Sequence, residues 1–403
     1  MTDFGRLDRS RGLLFARLFS YLFCAALMSE SMAQTSSAGV PGKIIQVGAV
    51  RDVKTLAEAA RLARDGDVVE VDAGDYPGDV AVWQQDRLKL RAVGGRARLI
   101  ASGKSAEGKG IWVVRGGAIS IEGFDFSGSR VSGANGAGIR LEKGQLRVKD
   151  CTFLDNENGI LTANNPEITL EISYSEFGQN GAGDGQSHNL YVGSIKLLRV
   201  IGSHFHHARV GHLLKSRAAE NYVLYNRLVD GAGGNASYEL EFPAGGLAYV
   251  VGNVIEQAPE TGNPHLISFG AEGYKWPHNE LYLVNNTLVD RRVQGGVFLR
   301  VASGAQIVKA YNNLLLGKGS LESSGPGDFR GNFNVDRADF ALAEPEPYRL
   351  KFSSRLMGKM TAPGSANGFD LAPSHEFRVP RQIKPVPAYS AQPGAIQTLG
   401  DAK

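Results

Sequence analysis

The sequence predicts an all-β fold: a parallel β-helix, built as a single-stranded solenoid of about nine or ten turns. Two observations carry this. Glycine supplies 51 of 403 residues while hydrophobic residues still make up 42%. That composition is turn-rich yet globular, and without a three-residue glycine period it excludes both collagen and disorder. Second, one phrase recurs, in which a polar or small pair precedes a large apolar residue that ends a strand-like run. It reads Phe124-Asp125-Phe126, Cys151-Thr152-Phe153, Ser175-Glu176-Phe177, Ser203-His204-Phe205, Asn226-Arg227-Leu228, Asn253-Val254-Ile255, Asn286-Thr287-Leu288 and Asn313-Leu314-Leu315. Its apolar ends are 27, 24, 28, 23, 27, 33 and 27 residues apart. Short apolar runs follow, among them Gly159-Ile160-Leu161, His212-Leu213-Leu214, Tyr238-Glu239-Leu240 and His265-Leu266-Ile267, each too short for a helix. Two or three short strands with turns in each period describe one turn of the solenoid.

The elements follow in order. Residues 1–33 read as a secretory signal: Arg6, Arg9, Arg11 and Arg17 precede the apolar run Leu18 to Met28, and Ser31-Met32-Ala33 is a small-x-small cleavage triplet. The run is too short to span a bilayer, which needs about 20 residues. The mature protein is therefore expected to be secreted or periplasmic, with no transmembrane span. Residues 34–80 are expected to cover the open end of the rod. They hold strands at Ile44 to Val47 and Val68 to Val71, a turn at Asp75 to Asp79, and a capping helix at Thr55 to Arg64 with Leu56, Ala59, Ala60 and Ala63 at helical spacing. Residues 81–340 form the β-helix itself. Within them Asn226, Asn253, Asn286 and Asn313 form a column, one Asn to a turn, that can satisfy buried backbone. Residues 341–403, with little periodicity, read as an extended C-terminal tail along or over the last turns.

Charge narrows the partners. With 44 Lys plus Arg against 41 Asp plus Glu, the formal charge of +3 argues against nucleic acid. Loss of Cys24 with the signal leaves Cys151 as the only cysteine, so no intramolecular disulfide forms and Cys151 reads as a small buried hydrophobe. A monomer is expected.

The capping-helix phrase, the Asn column and the turn Asp155-Asn156-Glu157-Asn158-Gly159-Ile160 together resemble the secreted right-handed parallel β-helix superfamily of pectate-lyase type, over about residues 44 to 340. The segment Gly211-His212-Leu213-Leu214-Lys215-Ser216-Arg217-Ala218, followed by Asn221, Asn226, Tyr238-Glu239-Leu240-Glu241 and Gly252-Asn253, is similar to the catalytic stretch of alginate lyases and chondroitinase B. That resemblance implies Lys215 as the base for proton abstraction. Glu241 stands where it implies an Arg, and no acidic Ca²⁺ ligands precede Lys215. The cofactor is therefore unknown: Ca²⁺ is left open with no clear ligand set.

The residues themselves point to a basic flank. Five of eight histidines, His188, His204, His206, His207 and His212, fall within 25 residues. Strand alternation places Lys215 and Arg217 outward with Leu214 inward, Glu239 and Glu241 outward around Leu240, and Lys215, Glu241, Ser268 and Arg300 in one outward column. It places His212 inward unless a bulge at Gly211 re-aims it. Uronate β-elimination needs a cation on the C6 carboxylate, a base for the C5 proton and an acid for O4. Lys215, Arg217 and His212 are the catalytic candidates, and His188, Tyr191, Tyr238, Glu239, Glu241 and Arg300 the substrate-binding ones. The expected partner is an acidic polysaccharide, and the expected enzyme a polysaccharide lyase or related epimerase. Two alternatives stand beside it: a glycoside hydrolase using Glu239 and Glu241, with Glu272 and Asp184 as further carboxylates, and a non-catalytic glycan-binding or surface protein. Tyr274 and Trp276 can stack on a sugar or pack onto the rod. His204 and His206 flank an inward Phe with no carboxylate partner evident, so no metal site is assigned.

Overall fold

A computed structural model describes residues 42–341, 347–386 and 391–399. The expected signal at residues 1–33 lies outside the described residues. Among the described residues no helix is long and apolar enough to cross a membrane.

The chain winds as an all-parallel β-solenoid with three strand faces per turn. A typical turn runs from Glu220–Leu224 on the first face, through Arg227–Val229 on the second, to Tyr238–Phe242 on the third. The third face has ten strands in sequential order, from Ala81–Trp83 to Ser320–Ser323, which sets the count at about ten turns. Parallel pairing begins with Ile44–Val47 on Val68–Pro77, so the first strands are already part of the stack. Asp75, Tyr76 and Pro77 pair with Arg98, Leu99 and Ile100, confining the expected turn there to the residues after them.

The recurring phrase is the second face. Phe126, Phe153, Phe177, Phe205, Leu228, Ile255, Leu288 and Leu315 lie in register on consecutive turns. The four Phe rings stack inside the tube with centroids 4.9, 4.7 and 4.7 Å apart, close to the spacing of hydrogen-bonded strands of about 4.8 Å. The sheet thus sets an aromatic column whose rings meet face to face.

The Asn column sits at the bend between the first and second faces. The amide NH groups of Asn226, Asn253 and Asn286 donate to the side-chain Oδ1 of Asn253, Asn286 and Asn313, at 2.8, 2.9 and 2.9 Å. Asn332 extends the ladder at one end, and Ser203 and Ser175 continue it in the other direction with hydroxyls in place of amides. All four expected members are fully buried, so the ladder satisfies backbone that water cannot reach.

The helix Leu56–Leu62 packs Leu56 and Ala59 into the core. Thr55 accepts from the Glu58 NH, and Asp79 accepts from those of Leu56 and Ala57. The C-terminal segment carries two short antiparallel hairpins, Ser365–Ala366 with Phe369–Asp370 and His375–Arg378 with Gln382–Pro385. It reaches well behind the last turns. Phe369 packs on Tyr249 at 4.7 Å, and Arg381 donates to Thr152 Oγ1 at 3.0 Å.

Candidate functional site

The third face brings most of the expected site residues together. Tyr191, Lys215 and Glu241 are in register on three consecutive turns, and Ser268 and Arg300 continue that line. Arg300 lies three turns from Lys215, exposed, and makes none of the cluster's hydrogen bonds described below.

His212 faces outward, contrary to strict alternation. The register of His212–Ser216 on Tyr238–Phe242 pairs His212 with Tyr238 and Leu214 with Leu240 but passes over Leu213, and both Leu213 and Leu214 are fully buried. Two adjacent residues thus turn inward and return His212 to the side of Lys215. The bend follows Gly211, where a Cβ would lie 1.9 Å from the Ser187 carbonyl oxygen, so only glycine lets the turns approach there.

Glu241 joins His212 and Lys215. Its Oε2 accepts from His212 Nε2 at 2.8 Å and from Lys215 Nζ at 3.2 Å. Burial raises the pKa of Glu241, but His212 and Lys215 outweigh it and hold the carboxyl below its usual range. Burial also lowers the pKa of His212 despite Glu241, so its imidazole is neutral: Nε2 carries the proton and Nδ1, buried, has no partner among the described residues. His188 packs on His212 at 4.4 Å and on Tyr191 at 4.6 Å, and its Nδ1 accepts the His212 NH at 3.0 Å. Burial pushes the His188 pKa well down, and the neighbouring Lys215 and Arg217 act in the same direction. The Tyr238 ring lies 5.0 Å from His212.

Glu272 completes the cluster from the loop after His265–Phe269. Arg217 donates through Nε to Oε2 at 2.8 Å and through Nη2 to Oε1 at 2.6 Å, and Lys215 Nζ lies 3.5 Å from the same Oε1. Arg217 Nη1 donates to the Tyr191 hydroxyl at 3.1 Å. Burial disfavours the guanidinium charge, but Glu272 and Tyr191 prevail and the pKa of Arg217 rises. The loop is fastened by Trp276 Nε1 to the Arg217 carbonyl at 3.0 Å and by the Tyr274 hydroxyl to the Ala302 carbonyl at 2.8 Å. Both aromatics therefore pack onto the rod. Two cations and two carboxylates from consecutive turns make one balanced network whose Glu272 side is open, at 38% exposure.

Glu239 does not belong to this surface. It is fully buried, and neither carboxylate oxygen has a hydrogen-bond partner among the described residues. Burial, reinforced by the charge of Asp230, raises its pKa well above the usual range. The same break in alternation that turns Leu213 inward applies one turn on, so the expected pair Glu239 and Glu241 is split between core and flank. A hydrolase using both on one substrate is thereby excluded.

Glu176 was missed as a partner of the histidines. It pairs with His204 across the second face, and its Oε1 lies 3.2 Å from His206 Nε2. The repeat carried the signal, since Ser175-Glu176-Phe177 aligns with Ser203-His204-Phe205.

No protein-family model matches the sequence, and no curated protein sequence matches it. Among solved structures, the chain is similar to pectate lyase Pel9A, with a TM-score of 0.55 at 14% identity, over 82% of this chain and 94% of that one. A structure described as Geobacillus virus E2 ORF18 matches with a TM-score of 0.44 at 14% identity, over 68% of this chain and 53% of that one. The likeness to Pel9A identifies the fold as a right-handed parallel β-helix of the pectate-lyase kind.

Proposed function

We propose that the protein is an exported polysaccharide lyase, or a related C5 epimerase, acting on an acidic uronate-containing glycan along the flank between His188 and Arg300. The observation that carries this reading is the forked contact of Arg217 with the carboxylate of Glu272, beside Lys215. Arg217 already holds a carboxylate in a planar, two-point grip, the geometry a uronate C6 carboxylate requires. A substrate carboxylate that displaces the exposed Glu272 acquires the same partners, and its charge withdraws into Arg217, acidifying C5–H.

Lys215, acting as the free amine after its ammonium has given a proton to solvent, is the acceptor a polymer can reach, because His212 Nδ1 is buried. Abstraction of the C5 proton by Lys215, formation of the C4=C5 double bond and cleavage of C4–O4, with a proton delivered to O4 by Tyr191 or Tyr238, complete the elimination. Return of a proton to the opposite face of C5 without cleavage would be epimerisation.

The test is incubation with a panel of uronate polymers. The lyase reading expects ultraviolet absorbance from the unsaturated product. Reducing ends without that absorbance indicate hydrolysis, C5 proton exchange alone indicates an epimerase, and retention of an unaltered polymer indicates a binding protein.

A further inference from the structure

On the second face, away from the Lys215 cluster, Glu176, His204 and His206 each offer a ligand atom, and these atoms lie within 4.8 Å of one another. We propose that they form a binding site for one divalent transition-metal ion of the zinc class, with two imidazole nitrogens and one carboxylate oxygen as ligands.

The geometry is that of a built site. His206 Nε2 and Glu176 Oε1 are 3.2 Å apart. Ligands at about 2.0–2.2 Å from a tetrahedral zinc stand roughly 3.3 Å from each other, so these two atoms span one edge of such a shell. The third ligand is on the same strand, two residues from His206 and therefore on the same side, in register with Glu176 one turn below. Three protein ligands leave a fourth position open, and the side chains of His206 and Glu176 are 16% and 31% exposed, so an ion can enter.

The surroundings orient the ligands. His206 Nδ1 lies 3.0 Å from His207 Nδ1, and His207 Nε2 lies 3.3 Å from the Ala232 carbonyl. His206 therefore has a polar partner on the ring nitrogen that faces away from Glu176, the kind of outer contact that orients metal-bound imidazoles. Arg381 of the C-terminal hairpin stands 3.5 Å from Oε2 of Glu176, holding the carboxylate by the oxygen not facing the metal. Gly178 makes room for the ring: a Cβ there would lie 2.1 Å from His206 Cε1. Imidazole donors favour zinc and its neighbours over calcium or magnesium.

The experiment is titration calorimetry of ZnCl₂ into the purified, untagged chain after removal of metals with a chelator. One equivalent of Zn²⁺ is expected to bind, undisturbed by excess Ca²⁺ or Mg²⁺. Glu176→Gln and His206→Ala should each weaken it at least 10-fold, and Arg381→Ala about 10-fold through lost orientation. His188→Ala, in the other histidine cluster, should leave it unchanged. Where His206→Ala fails to fold by circular dichroism, the near-isosteric Glu176→Gln carries the test. Absence of binding at millimolar Zn²⁺, or binding that survives Glu176→Gln, overturns the proposal.

Discussion

Glu272 lays both of its carboxylate oxygens on the guanidinium of Arg217, at 2.8 and 2.6 Å. The contact joins a loop to the end of a strand two turns earlier, where an arginine fork and a lysine converge. If the fork serves the substrate, Glu272 competes with it. Glu272→Gln should lower KM for the acidic polymer roughly 3- to 10-fold, because a half-exposed ion pair is worth on the order of 1 kcal/mol. Arg217→Ala should lower kcat/KM on the order of 100-fold. Steady-state kinetics on the active polymer check both, and an unchanged KM in Glu272→Gln removes the competition argument.

The pH profile distinguishes the two nitrogens that share Glu241. A lysine acts as a base only as the free amine, so a lysine acceptor in general makes kcat/KM climb as pH rises above neutral. Burial depresses the His212 pKa and keeps that imidazole neutral at pH 7. A profile flat from pH 7 to 9 would therefore transfer the role to His212.

Glu239 should reveal itself in stability. Its folded pKa is raised by burial, so between the unfolded value of about 4.3 and the folded one the native state holds a proton that the unfolded state has lost. Its contribution is present at acid pH and declines as pH rises, by up to about 1.4 kcal/mol per pH unit. Glu239→Gln abolishes that decline. The variant should match the wild type near pH 4 and be more stable near pH 8, as read by denaturant unfolding at both values. Equal stability of the two proteins at pH 8 would contradict a buried, protonated Glu239.

Asn253 donates through Nδ2 to the Val223 carbonyl and to Asn286, and accepts from the Asn226 NH. Asn253→Ala leaves these buried groups without partners and should cost about 1–3 kcal/mol. Asn332→Ala, at the partly buried end of the ladder, should cost less. Chemical unfolding of the two variants measures the difference.

Cys151 is fully buried, and burial pushes its thiol pKa up to about 12. Its thiolate is scarce and shielded, so alkylation mapped by mass spectrometry should leave Cys151 unmodified in the native protein and label it in denaturant. Native labelling would place this bend at the surface.

The solenoid was legible in the sequence because its physics repeats. A position that must fill the tube at each turn shows a large apolar residue about every 27 residues, as Phe153, Phe177 and Phe205 do. A bend that must satisfy buried backbone shows Asn, as at Asn226, Asn253 and Asn286. The gathering of Lys215, Arg217 and Tyr191 on one flank follows from period and alternation alone. Which way His212 and Glu239 point did not follow: alternation has period two, and a single pair of inward residues, Leu213 and Leu214, reverses every assignment before it. Nor could the sequence place Glu272 on Arg217 or Arg381 beside Glu176, since those contacts come from segments outside the repeat. Period and hydrophobicity act between neighbouring turns and leave a written trace; a loop or a C-terminal hairpin finds its place only by packing against a rod already formed.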